Sequence, residues 1–116
     1  MNAALKDIPE SAVIQQVKTI IKMTGLKLQR INTGCFTIGT GASRRYIKTA
    51  EAGTLDFEGY DNRGRFLAIE CKRPVGGRLS AAQEERIADI NRKGGVAFVA
   101  HSGEEAMLYL RRNKCI

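Results

Sequence analysis

The sequence predicts an α/β fold, a mixed β-sheet flanked by helices. Three observations carry that expectation. Apolar residues recur at helical spacing near both ends of the chain and in the segment after Ser80. Between these segments lie short strand-like runs, two of which flank a Gly-containing turn. Residues 96–101 (VAFVAH) are almost wholly apolar and β-rich, as in a strand covered on both faces. The resulting order is helix, strand pair, hairpin, helix, strand, helix. With 116 residues the chain reads as one domain, 1–116, able to bury roughly two-thirds of its unfolded surface.

Each element has its own warrant. Pro9 and Glu10 open the first helix; Val13, Ile14, Val17, Ile20 and Ile21 give its apolar stripe, and Gly25 ends it. Glu10 stands at the N-terminal end of that inward stripe, where it either favours the helix dipole or faces a site. Residues 27–32 (KLQRIN) and 35–38 (CFTI) read as two strands around a turn at Thr33-Gly34. Residues 39–53, rich in Gly, Ser, Ala and Arg, read as a long loop facing nucleic acid. In residues 53–74 two strand runs flank Asp61-Asn62-Arg63-Gly64. A three-residue loop over 62–64 places Gly64 at the left-handed position and pairs 61 with 65. Val75-Gly76-Gly77 is a turn, and Ser80 with Gln83 fits a capping box opening a helix. Gln83, Ile87 and Ile90 share one face of that helix, which Gly94-Gly95 ends. Ser102 and Glu105 fit a second capping box, opening a last helix through Met107, Leu108 and Leu110.

Composition narrows the function. No run approaches the ~20 apolar residues of a membrane span, and no secretory signal is evident. The absence of Trp and the 6% aromatic content argue against binding single strands mainly by stacking. Cys35, Cys71 and Cys115 form no CxxC motif, and one His accompanies them. That set does not make a structural zinc site, and an odd count fits a reducing cytoplasm. Nineteen basic against twelve acidic residues give a net charge of +7. The excess is spread over both halves, with clusters at Arg44, Arg45 and Lys48, at Lys72, Arg73 and Arg78, and at Arg111, Arg112 and Lys114. Such a surface either serves solubility or attracts a polyanion, nucleic acid before membrane.

The hairpin carries the chemistry. Pairing 61 with 65 pairs Asp56 with Glu70, so both acids face one side of the sheet, and Lys72 joins them by alternation. Phe57, Leu67, Ile69 and Cys71 fall on the other side, as core. A four-residue loop would shift the register by one and separate the acids. Two adjacent carboxylates repel unless a cation lies between them, and oxygen ligands select Mg²⁺, Mn²⁺ or Ca²⁺. A neighbouring Lys neutralises developing charge or orients a water. Asp56, Glu70 and Lys72 therefore fit a phosphodiester-hydrolase centre, or else a solvated hairpin surface. Gln83 either caps its own helix or joins this centre. His101, at the end of the last strand, reads as structural or as a general base.

The run IECKRPVGGRLSAAQ, with Glu10, Gly53 and Asp56 upstream, resembles the virus-type replication-repair nuclease family (VRR-NUC) of the PD-(D/E)xK superfamily. The matching pattern is an acid on the first helix (Glu10), Gly-x-x-Asp (Gly53, Asp56), Glu-x-Lys (Glu70, Lys72) and a helical Gln (Gln83). Leu55 stands where that family usually has Pro before the Asp. The resemblance runs from Glu10 to about residue 101. It implies a restriction-endonuclease-like core and a DNA endonuclease dependent on Mg²⁺ or Mn²⁺. Asp56, Glu70 and the Cys71 backbone carbonyl would be metal ligands, and Glu10 a ligand to a second metal or to a metal-bound water. Lys72 would position the attacking water or steady the phosphorane, and Gln83 would orient Lys72 or a water. Arg44, Arg45, Lys48, Arg73 and Arg78 are the expected DNA-binding residues. The resemblance further implies a homodimer acting on branched DNA in the manner of a Holliday junction resolvase, in a phage-infected bacterial cytoplasm. A nicking or nonspecific endonuclease, an RNA-processing nuclease and a non-catalytic basic DNA-binding module are the rival readings.

Overall fold

The computed structural model of the chain describes residues 3–31, 35–48 and 50–116, without the side chains of Ala3, Cys35, Phe36, Ile47 and Lys48. Its elements are α1 (Glu10–Thr24), β1 (Lys27–Arg30), β2 (Cys35–Ile38), β3 (Arg45–Lys48), β4 (Phe57–Tyr60), β5 (Phe66–Cys71), α2 (Ala81–Arg92), β6 (Val96–Ala100) and α3 (Gly103–Arg112). Short 3₁₀ turns cover Ala3–Asp7 and Gly41–Ser43. The architecture is mixed α/β, as the sequence predicts.

The main sheet runs β1-β4-β5-β6, antiparallel except for the parallel β5–β6 pair. Alternation along its strands divides two cores. On one face Phe57, Leu67, Ile69 and Cys71 meet Val13 and Val17 of α1 and Ala106 and Leu110 of α3. On the other, Leu55, Ala68 and Ala97 lie under Ile87 and Ile90 of α2. Each fully buried large side chain here contributes roughly 1.5–3 kcal/mol relative to exposure. The β6 strand is covered on both faces, as its apolar run requires: Phe98 and Ala100 point to the first core and Ala97 to the second.

Local chemistry explains the boundaries. Gly25 takes a left-handed φ of 71° and donates its N–H to the Ile21 carbonyl, which ends α1. Ser80 and Gln83 form the complete capping box at α2. At α3 only half of the expected box forms. Ser102 accepts from the Glu105 N–H, but the Glu105 carboxylate turns to the His101 N–H and ring.

Two sequence expectations are corrected. The β1 and β2 strands belong to different sheets: β1 pairs with β4, and β2 pairs with β3 in a separate two-stranded ribbon. The proposed turn at Thr33-Gly34 lies outside the described residues. Residues 39–53 are not wholly loop, because Arg45–Lys48 is a strand. Short-range pattern marks strands but does not choose their partners, and the hairpin edge at β4 offered β1 a longer-range ladder.

Candidate active site

The hairpin forms in the three-residue register. Phe57 pairs with Ile69 and Tyr60 with Phe66, and the Asp61 N–H donates to the Arg65 carbonyl at 3.0 Å. Gly64 has φ 78°, the left-handed position such a loop demands. Asp56, just before β4, is thereby set beside Glu70 of β5. The Asp56 N–H donates to Glu70 Oε1 at 3.1 Å. In return the Cys71 N–H donates to Asp56 Oδ2 at 2.8 Å. The two acids are interlocked through each other's strands, at 7% and 3% exposure. Burial this deep rejects the reading of a solvated hairpin surface.

Cations gather at the pair. Lys72 Nζ lies 3.2 Å from Glu70 Oε2 and 3.9 Å from Glu10 Oε1. The Arg30 guanidinium lies 3.4 Å from Asp56 Oδ1 and stacks over the Phe57 ring. These charges do not fully offset the acids. Burial, and then the Asp56 carboxylate, push the Glu70 carboxyl up to about 7 against the pull of Lys72. Burial, followed by the same two carboxylates, pushes the Cys71 thiol far up as well, so it is an inert core group.

Gln83 resolves its two readings by holding both at once. Its Oε1 accepts from the Ser80 N–H at 3.0 Å and completes the cap of α2. Its Nε2 donates to Glu70 Oε2 at 2.8 Å. One amide therefore ties the start of α2 to the acid pair. Gly53 brings the preceding loop against the same helix start. Its φ is 88°, and a Cβ there would sit 2.7 Å from the Ala82 carbonyl oxygen, so only Gly fits. From the start of β4, Glu58 forms a two-pronged pair with Arg86 at 3.0 Å for each contact. It holds α2 over this face.

The expected site residues thus divide into groups. Asp56, Glu70, Lys72, Gln83 and Glu10 converge, Glu10 only through Lys72. Cys71 lies between Glu70 and Lys72 at the end of β5, so its carbonyl belongs to the same strand end. Arg73 and Arg78 are exposed on the segment leaving Lys72. Arg44 and Arg45 are exposed in the ribbon, and Lys48 ends its second strand. His101 is engaged with Glu105 at 2.8 Å, beside a groove lined by Ile8, Gln16, Pro74 and Ser102. Sequence reasoning missed Arg30. Its signal was the β1–β4 register, which sets Arg30 opposite Phe57.

The donor set fits a hard divalent cation. Both side chains are carboxylates set side by side and buried, where a cation would relieve the repulsion that raises Glu70. Among the described residues no three His, Cys, Asp or Glu side chains group as metal ligands. Asp56 and Glu70 offer two carboxylates, and the Cys71 carbonyl expected from the resemblance would add a third oxygen. So sparse a set suits Mg²⁺ or Mn²⁺, which keep waters and share phosphate oxygens. No helix among the described residues is long and apolar enough to cross a membrane. Comparison with protein-family models, with characterised proteins and with solved structures finds no match.

Proposed function

We propose that this chain is a metal-dependent DNA endonuclease with a restriction-endonuclease-like core, of the VRR-NUC kind its motifs resemble. The carrying observation is the buried Asp56–Glu70 pair with Lys72 at 3.2 Å and Gln83 at 2.8 Å. A binding module would gain nothing from two buried acids, which oppose a polyanion and cost desolvation.

Each residue then has a role. Asp56, Glu70 and the Cys71 carbonyl would hold Mg²⁺ or Mn²⁺, which when bound would supply Lewis-acid stabilisation of the scissile phosphate. Lys72 presents its ammonium beside the acids, where it orients the attacking water and steadies charge on the phosphorane. Glu10 limits where that ammonium points. Gln83 fixes the Glu70 rotamer, and Arg30 does the same for Asp56. Arg73 and Arg78, one and six residues past Lys72, bind flanking phosphates. Arg44, Arg45 and Lys48 bind DNA further off. With one centre per chain, a homodimer would bring the two centres that paired cuts within one complex need.

The test is cleavage of end-labelled four-way junction, flap, linear duplex and single-stranded DNA in Mg²⁺ or Mn²⁺. Cutting should be lost in EDTA. It should fall about 10²–10³-fold or more in Lys72→Ala and Asp56→Asn, while both variants still bind DNA. Paired symmetric cuts in the junction support the branched-DNA reading. Equal cutting of linear duplex replaces it with a nonspecific endonuclease. Wild-type rates in either variant remove this centre.

A further inference from the structure

We infer that the β2–β3 ribbon, a sheet separate from the one that carries Glu70, is an arm that enters the major groove of duplex DNA. This rests on the nucleic-acid reading above and adds the mode of contact. Among the described residues the two strands ladder with each other in a sheet separate from the main one. The described side chains from Thr37 to Tyr46 are all exposed, including Ile38 at 48% and Tyr46 at 70%. A two-stranded ribbon is marginal alone in water and gains order when something covers it.

Charge and shape identify that partner. Residues 35–50 carry Arg44, Arg45 and Lys48 and no acid. Among the described residues neither arginine is paired with a carboxylate. A second copy of this basic ribbon would be repelled, whereas a polyanion would be attracted. The tip, Gly39-Thr40-Gly41-Ala42-Ser43, has no bulky side chain, and Gly39 and Gly41 take left-handed φ values of 85° and 60°. Paired strands about 4.8 Å apart, with their side chains, need a slot on the order of 10 Å wide. The major groove, about 12 Å wide, admits that width, and the minor groove, about 6 Å wide, does not. The pairings also sort the side chains. Ile38 opposes Arg45, so these share one face, and Thr37 and Tyr46 share the other. The first face offers a guanidinium for guanine O6 and N7 beside an apolar group for a thymine methyl. Arg44, at the junction of tip and strand, is placed for a phosphate at the groove wall.

The experiment is dimethyl sulfate protection on a four-way junction and on linear duplex, with all binding in EDTA so that no cutting intervenes. Guanine N7 reports the major groove. The wild-type chain should protect a cluster of guanines on one duplex segment. Arg44→Gln/Arg45→Gln should lose that protection, weaken binding by about 10-fold or more at 0.1 M salt, and lower the salt slope by about 1 to 2. Replacing 39–44 by Asn-Gly closes the Ile38–Arg45 pair with a two-residue turn. It keeps a ribbon without its tip, and should lose the same protection. Protection unchanged in both variants overturns the inference, as does protection confined to adenine N3 in the minor groove. A fall in molecular mass on ribbon substitution without DNA also overturns it, and assigns the ribbon to contact between chains. Metal-dependent cutting by the wild-type chain decides the nuclease reading separately.

Discussion

At the scale of residues, the decisive feature is one amide with two occupations. Gln83 caps α2 through its oxygen and holds Glu70 through its nitrogen. Two substitutions separate these roles. Gln83→Ala removes both, so stability should fall by about 1 kcal/mol and cutting by about 10–100-fold. Gln83→Glu keeps the acceptor for the Ser80 N–H, because Glu serves the capping box as well as Gln. It replaces the donor to Glu70 with a like charge. Its helix cap should survive while cutting falls at least as far as in the Ala variant. Thermal melts and single-turnover rates on the same preparations check this. A Gln83→Glu chain cutting at the wild-type rate would show that the link to Glu70 is only structural. The sequence exposed the cap, because S-x-x-Q is a local signature. It left the second role open, because the distance from α2 to β5 is a tertiary fact.

At the scale of elements, the hairpin turn is a switch for stability rather than for chemistry. Asp61 is buried and accepts from the Arg63 and Arg65 N–H groups at 2.9 and 2.8 Å and from the Arg65 guanidinium at 2.8 Å. Burial alone would raise its carboxyl, but these bonds outweigh it and hold it below the usual 3.8. A depressed folded value stabilises the fold above the unfolded value and is lost as pH falls through the folded one. Melting temperature should therefore drop on acidification below pH 3.8, and Asp61→Asn should remove most of that acid-side slope. An equal slope in both chains would place the acid sensitivity elsewhere. The turn also explains which parts of the fold were legible. Asp61, Asn62, Arg63 and Gly64 set a register by local chemistry alone, and that register put Asp56 beside Glu70. The helices were legible from period and caps. The β1–β4 and β2–β3 pairings were not, because four-residue strands carry too little pattern to choose partners far along the chain. Arg30 was lost with the first of them, and the ribbon with the second.

At the scale of the whole molecule, the dimensions are those of a small core with an appendage. The extents are 51 × 39 × 27 Å and the radius of gyration 15.7 Å, against about 13 Å for a compact chain of this length. The net charge of +7 then rides on an extended shape. The core holds one Asp56–Glu70 pair, so on the proposed nuclease reading one chain in one orientation would cut one strand. Mixing decides whether two chains act together. Wild-type chain with a several-fold excess of Lys72→Ala, refolded together, should leave most active dimers with a single working centre. On a supercoiled plasmid extruding a cruciform, a wild-type dimer should make both cuts within one complex and yield linear DNA. The mixed population should yield nicked circles instead, with total cutting reduced in proportion to the wild-type fraction. A chain acting alone responds differently: dilution with the inactive variant lowers the rate but leaves the ratio of linear to nicked product, compared at equal consumption of supercoiled plasmid, unchanged. That ratio is therefore the quantity to measure, because it separates a two-fold enzyme from a monomer cutting twice without any knowledge of which surfaces meet.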